Sequence, residues 1–377
     1  MREDIQYKGA FGIQLSDNAV RIAQLTAGKG GVQVCGYASR ALPPDVICKG
    51  LVKKQKPLAD IITRALREAL PRPISSKKAI VSIPEHKSFV KIIEVPRMEK
   101  EELVEAIKWE AEDNIPLPLE KVYYDWKILD TPAPEGKMNV LVVAASKNVI
   151  DAAVEVFTLC GVTPVGFEPD SFALNRCFGG DALLGAPATP AGSKSKEEAI
   201  VYVGDDKSVV VIRSGGSIFF SSSIFFNSKE LEDTVIKGLA AQLKGGMPAT
   251  PEEIEQKRKE LAERFKIFGF DQKYPEGKDH ARLAKESMQE LVKEVGDALN
   301  YFESEHEDEE KIEAVYLTGS AVGVKGFDAL LGVEIGREIA EGRELLYIPI
   351  VHNVITIPKE EIPGYAIVLG SALAGVS

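Results

Sequence analysis

Apolar and polar positions alternate over residues 11–15, 19–25 and 32–40. These three strand-like runs are separated by turn residues at Ser16-Asp17-Asn18 and Gly28-Lys29-Gly30-Gly31. The pattern predicts a β-meander. The period then changes: Leu58, Ile61, Ile62, Ala65, Leu66 and Ala69 form one stripe, which predicts an amphipathic helix over 58–69. A buried strand follows at 79–83. The meander returns at 199–203, 208–213 and 217–224, broken at Gly204-Asp205-Asp206-Lys207 and at Ser214-Gly215-Gly216. Such a repeat implies two halves of related fold. Two unrelated α/β domains that each begin with a meander would give the same pattern.

Between the repeats the pattern predicts strands at 89–95, 122–129 and 139–145 and helices at 99–113 and 149–160. Acidic residues open the first of these helices, where they suit the positive end of its dipole. Residues 181–196, rich in Gly, Ala, Pro, Ser and Lys, read as a linker between the halves. Beyond the second meander, 229–243 and 251–265 are predicted helical, 269–278 a loop and 281–303 one long helix. The acidic run 303–310 reads as a solvated helix end, 315–317 as a strand, and 364–375 as a small-residue helix packed inside.

Composition narrows the function classes. The chain has 377 residues, 45% of them hydrophobic and 27% charged, and a net charge of −11. Basic tracts are short, as in the pairs Lys53-Lys54 and Lys77-Lys78, too little for a nucleic-acid footprint or direct docking on anionic lipid. Cys35, Cys48, Cys160 and Cys177 are widely spaced and read as reduced structural thiols. The four histidines form no metal or triad signature. Met1-Arg2-Glu3-Asp4 opens no signal peptide, and no apolar run nears the ~20 residues of a membrane span. The expected location is cytoplasmic, with any membrane association indirect, through a partner.

Several segments together resemble the PilM family of actin-like type IV pilus assembly proteins. The most specific is 106–129, AIKWEAEDNIPLPLEKVYYDWKIL, an acidic helix running into Ile-Pro-x-Pro-Leu and an aromatic-Asp strand. VLVVAASK (140–147), GVTPVGFEPDSFALN (161–175), LTGSAVGVKGF (317–327) and YAIVLGSALA (365–374) continue the match in order. Cell-division actin homologues and the actin-like subunit of type II secretion are the nearest relatives to confuse with it. The resemblance implies an α/β, actin-like fold: duplicated ribonuclease-H-like lobes around a cleft, with a small inserted α+β subdomain. The implied division is 9–88 for the first lobe, 89–160 for the small subdomain and 161–185 for the return to the first lobe. The second lobe would take 197–228 and 311–360, a helical subdomain 229–310, and the final helix of the first lobe 361–377.

It further implies ATP in the cleft and capture of the N-terminal cytoplasmic tail of a PilN-like bitopic membrane protein. The groove for that tail would lie between the first lobe and the small subdomain. Indirect coupling to pilus motor ATPases and self-association belong to the same picture. An extended tail can add to a sheet edge or lie in the groove.

The nucleotide positions depart from the family pattern. Its Gly-Ile-Asp-Ile-Gly-Ser reads here Gly12-Ile13-Gln14-Leu15-Ser16-Asp17, and its second Asp-Ile-Gly reads Tyr202-Val203-Gly204, followed by Asp205-Asp206. Phosphate turns favour Gly and small residues, because backbone N–H groups approach the oxygens. A carboxylate before each turn would position Mg²⁺. By the resemblance the cofactor-facing residues are Gln14, Ser16, Asn18, Gly204, Asp205, Glu255, Arg258, Gly319 and Ser320. Weak Mg-ATP binding at most is expected, with no catalytic residue and no metal ligand. Shifted turns that let Asp17 and Asp205 hold a metal are the other reading. The expected function is an adaptor rather than an enzyme; the alternatives are an ATP-hydrolysing enzyme of the same superfold and the type II secretion subunit. Trp109 and Trp126 read as core or groove lining, 115–119 as a rigid connection, and Phe219, Phe220, Phe225 and Phe226 as inter-lobe packing.

Overall fold

The computed structural model describes residues 7–28, 31–129, 133–179, 197–242, 251–305, 311–341 and 357–376. The first meander forms β1 (Phe11–Leu15), β2 (Ala19–Gly28) and β3 (Gly31–Ala41). All of β1 is buried, as a strand covered on both faces must be. A tight turn at Lys49 and Gly50, with φ of 52° and 72°, joins β4 (Ile47–Cys48) to β5 (Leu51–Val52). The helix expected at 58–69 is α1 (Gln55–Arg67), which buries Leu58, Ile62, Ala65 and Leu66. It stops earlier than its apolar stripe because β6 (Leu70–Pro71) pairs with β3. Then comes β7 (Lys78–Ile83), parallel to β1.

The inserted unit follows as β8 (Ser88–Pro96), α2 (Lys100–Asn114), β9 (Val122–Ile128) and β10 (Lys137–Ser146). Its antiparallel sheet has the order β8-β10-β9. Leu103, Ile107 and Ala111 of α2 cover one face through Ile93, Val95, Val140 and Val142. Trp126 packs at the rim of this core, whereas Trp109 is 68% exposed on the outer side of α2 and serves neither core nor groove. Next, α3 (Lys147–Cys160) buries Ala153, Val156 and Phe157 in the core that α1 shares. The chain re-enters the first sheet as β11 (Thr163–Pro169), parallel to β7, and continues as α4 (Asp170–Cys177).

The second half comprises β12 (Glu197–Val203), β13 (Ser208–Ser214), β14 (Ser217–Ile224), α5 (Ser228–Ala241) and α6 (Pro251–Phe268). It continues with α7 (Pro275–Ala284), α8 (Gln289–Glu305), β15 (Ala314–Gly319), α9 (Phe327–Ile335), β16 (Ile339–Glu341) and α10 (Ala366–Leu373). The two large sheets run β11-β7-β1-β2-β3-β6 and β14-β13-β12-β15-β16. In each, an antiparallel meander is followed by two strands parallel to its first. One topology occurs twice, so the halves are duplicates and not unrelated domains.

Three local expectations are corrected. The predicted loop 269–278 already contains the start of α7, where Pro275 takes the first helical position that proline favours. The single helix predicted over 281–303 is broken between α7 and α8. There Ser287 Oγ donates to Ala284 O at 2.8 Å, competing for a helical carbonyl. Phe219 and Phe220 pack on Phe302 and Tyr301 inside the second lobe, and Phe226 lies in that lobe's core. Of the four, Phe225 is the one that meets the first lobe, at His86. The predicted linker 181–196 and residues 306–310 lie outside the described residues.

Between the lobes α4 and α10 share one apolar cluster with both sheets. It joins Leu25 and Val34 of the first lobe, Ile200 and Val211 of the second, and Ile367, Val368 and Leu369 of α10. Approach is close enough to demand glycine. A Cβ at Gly370 would lie 1.9 Å from Ala173 O, and one at Gly12 would lie 2.3 Å from Val368 O. All four cysteines are free thiols, and burial raises the Cys177 thiol to about 12. Among the described residues no helix is long and apolar enough to cross a membrane.

Gly370→Ala is expected to lower stability by about 1–3 kcal/mol through overpacking at this seam. Gly296→Ala, in α8 with nothing within 4 Å of its Cβ, should instead gain about 0.5–1 kcal/mol. Urea unfolding of both variants measures the contrast.

Candidate functional site

Two features converge on the first lobe: the cleft between the paired turns and a groove beside the inserted sheet. In the cleft, the β1–β2 turn (Ser16, Asp17, Asn18) faces the β12–β13 turn (Gly204, Asp205, Asp206, Lys207). Ser16 Oγ bonds within its own turn, with Ala19 at 3.1 Å. Asp17 N donates to Asp206 Oδ2 at 2.9 Å, and Asn18 Nδ2 donates to Asp205 O at 3.3 Å. The Asp17 carboxylate accepts from Lys49 N at 2.6 Å and Gly50 N at 2.8 Å, in the concavity that their positive φ values create.

Arg21 is the cation of this arrangement. It leaves β2 opposite Gln14 and pairs with the Asp205 carboxylate across the cleft. Ser228 and Ser320 hydroxyls, 3.1 Å apart, stand on the other side of that carboxylate. Burial works to raise the Asp205 pKa, but Arg21 and the two serines outweigh it and hold it below the usual range. Among the described residues no cation contacts Asp206, and burial, with Asp17 and Asp205 nearby, raises it. The turn therefore carries one paired and one strained carboxylate.

Deeper in, Gln14 and Tyr202 are both buried side by side, and among the described residues Gln14 Oε1 has no partner at hydrogen-bond distance. Burial pushes the Tyr202 phenol upward. Glu85 crosses from the end of β7 to the second lobe, accepting from Ser221 Oγ at 2.5 Å and from Ser171 N at 3.1 Å. Glu85 and Asp170 are both raised by burial, Asp170 well above the ordinary value and further by Glu85 beside it. Among the described residues Asp170 Oδ1 has no partner at hydrogen-bond distance. Burial and Lys207 depress His86 to about 4, so it is neutral at pH 7. The space left among these groups is about 20 Å³, roughly one water molecule.

Of the expected cofactor-facing residues, Ser16, Asn18, Gly204, Asp205 and Ser320 gather at the paired turns, with Gln14 beneath them. Gly319 has φ 96°, and a Cβ there would sit 2.3 Å from Val203 O, so it serves the packing of β15 on β12. Arg258 is engaged by Asp233 of α5 on the helical layer. The Glu255 side chain lies outside the described residues. Sequence reasoning missed Arg21, Glu85 and Asp170. A signal for Arg21 was available, since it interrupts the apolar positions of β2 directly across from Gln14. Among the described residues no cluster of three or more His, Cys, Asp or Glu could hold a metal ion.

The second feature is a groove of about 460 Å³ between the inserted sheet and the first lobe. Tyr123, Asp125 and Lys127 of β9, with Leu141 and Val143 of β10, form one side. Ile150 and Val154 of α3, Ile83 of β7, and Phe167 and Pro169 of β11 form the other. The lining is mainly apolar yet open, with Tyr123 49% and Val154 38% exposed. Tyr123 OH donates to Asp151 at 3.0 Å, which orients the ring at the rim. At the groove's base the buried Glu168 is bridged twice by Arg176, whose Nη1 also donates to Gly370 O at 2.8 Å. A groove of this shape suits an extended apolar segment better than a small polar ligand.

The family model for type IV pilus assembly protein PilM matches residues 12–341. Among solved structures the chain is similar to a PilM-PilN type IV pilus biogenesis complex. Identity there is 22% over 98% of this chain and 99% of that chain, with a TM-score of 0.76. It is also similar to the ethanolamine utilization protein EutJ from Carboxydothermus hydrogenoformans. In that case identity is 12% over 97% of this chain and 89% of that one, with a TM-score of 0.50. The fold is accordingly actin-like.

The cleft charges predict opposite pH behaviour for two variants. Asp170 has a raised native pKa, so its ionisation erodes stability as pH climbs from the ordinary carboxylate range through that value. Asp170→Asn should therefore melt above the parent at pH 8 and converge with it below about pH 4. Asp205 has a depressed pKa, so its pairing contributes above the ordinary carboxylate range and is lost as pH falls. Arg21→Met should cost about 1.5–3 kcal/mol at pH 7, with the deficit shrinking in acid. Thermal melts across pH 3–8 read both.

Proposed function

The chain belongs to the PilM family of type IV pilus assembly proteins, and we propose that it is a cytoplasmic adaptor at the inner membrane. It takes the N-terminal cytoplasmic tail of a PilN-like bitopic protein in the groove between the inserted sheet and the first lobe. The observation that carries this reading is the groove itself. It is an open, largely apolar channel of about 460 Å³ walled by two sheets and α3, on a chain whose described helices include none that can cross a membrane. Membrane attachment then comes from the partner.

We further propose that side chains, not a nucleotide, hold the cleft. The residues present do not fit Mg-ATP. Gln14 and Tyr202 stand where the family carries metal-positioning acids, and Asp205 already occupies the donors an anion would need. Buried Glu85, Asp170 and Asp206 would repel phosphate oxygens. The space of about 20 Å³ among the groups beneath the paired turns holds about one water and no phosphate group. The enzyme reading would need Asp170, with its raised pKa, as a base. That role conflicts with its enclosure between the lobes.

Isothermal titration tests both statements. Tail peptide should bind, and Mg-ATP should give no heat. Val154→Glu, a charge placed on the exposed groove wall, should weaken the peptide about tenfold or more, or ~1.4 kcal/mol. Silence with the peptide overturns the adaptor reading. Micromolar ATP binding overturns the reading of the cleft.

A further inference from the structure

Two strand edges border the groove. β9 is the edge of the inserted sheet and β11 the edge of the first-lobe sheet, and both line the channel. They differ in what they offer. β11 contains Pro164 and Pro169, which have no N–H, and its register shifts between Pro164 and Gly166. An edge blunted in this way is a poor template for another strand.

β9 is different. It has no proline, and five successive residues, Tyr123 to Lys127, line the groove. Its bonding parity is legible in the ladder. Leu129 N donates to Asn139 O at 2.8 Å, and the register pairs Lys127 with Leu141, Asp125 with Val143 and Tyr123 with Ala145. The odd-numbered residues therefore spend their N–H and C=O groups on β10, and the even-numbered ones, Val122, Tyr124, Trp126 and Ile128, turn theirs outward. Asp125 supplies direct evidence of this. Its Oδ1 accepts from Trp126 N at 2.9 Å, a side-chain oxygen standing where a neighbouring strand's carbonyl would be.

We infer that the partner tail is recognised as a β-strand that adds to the β9 edge, its carbonyls and N–H groups pairing with Tyr124, Trp126 and Ile128. This rests on the docking of a tail in the groove proposed above. In the bound state a tail carbonyl replaces the Asp125 carboxylate on Trp126 N–H. Alternate tail side chains then point into the apolar channel formed by Leu141, Val143, Ile150, Val154 and Phe167. Main-chain pairing supplies affinity with little demand on sequence, and the channel selects for apolar residues at every second position. The lining thus sets a two-residue period for the ligand.

Backbone N-methylation of the tail peptide, one residue at a time, separates this from docking by side chains alone. The probe is the synthetic N-terminal tail of the PilN-like protein, titrated into the 377-residue chain. Methylation should cut affinity about tenfold or more at every second residue and be tolerated between. On the protein, Tyr124→Pro removes one outward N–H without touching the β10 ladder. It should also weaken binding about tenfold, while Tyr124→Ala, which keeps that N–H, loses about threefold at most. Circular dichroism and melting confirm that both variants are folded. If the parent peptide binds but methylation shows no two-residue period, strand addition is overturned and docking stands. If the parent peptide does not bind, both fall.

Discussion

The seat of α10 between the two sheets is the contact on which the rest of the structure depends. Two duplicated lobes joined by few chain crossings would be free to hinge. Here the last helix seats on the first-lobe sheet and on α4, which itself packs on β13 and β14, so that Ile367, Val368 and Leu369 belong to a cluster that includes strands of each lobe. Contact at Gly12 and Gly370 brings backbone against backbone, so the seam tolerates little displacement. Once α10 is seated, the two turns of the meanders must face each other at short range.

That proximity explains the electrostatics of the cleft. Facing turns rich in aspartate would repel, and the chain answers with Arg21, backbone amides and serine hydroxyls. Asp17, Asp205 and Asp206 are each given hydrogen bonds, but Arg21 is in contact with Asp205 alone. The balance is uneven: Asp205 is stabilised as an anion, whereas Glu85, Asp170 and Asp206 are held where their charge is costly. Buried charge of this kind is poor material for stability and good material for specificity of arrangement.

The groove is tied to the same seam. Glu168 on its wall is bridged by Arg176, and Arg176 donates to Gly370 O in α10. A continuous path of buried, charge-assisted bonds therefore runs from the groove to α10. The inserted sheet contributes the opposite wall and keeps its own core under α2. Its lobe-facing side is left to line the channel.

Local chemistry was legible in the chain. Strand alternation, turn residues and the repeated meander located both meanders and the strands β7 and β15 to within a few residues, because period and turn preference act over short range. By contrast, β6, β11 and β16 carried no strand reading. The acidic helix and aromatic strand of the inserted unit were equally readable, but the helix read as closing it, α3, packs on α1 in the first-lobe core. What the chain order could not reveal depends on contacts between distant residues. Arg21 meets Asp205, Glu85 meets Ser221 and Asn18 meets Asp205 only after two halves have folded and closed on α10. The split between α7 and α8, where Ser287 Oγ also bonds Ala284 O, left no mark in the apolar period. The exposure of Trp109 depended on which face of α2 the sheet covers. Propensity and period are properties of the sequence itself. Whether a charge is paired, strained or exposed is set by burial, and burial is decided by tertiary packing.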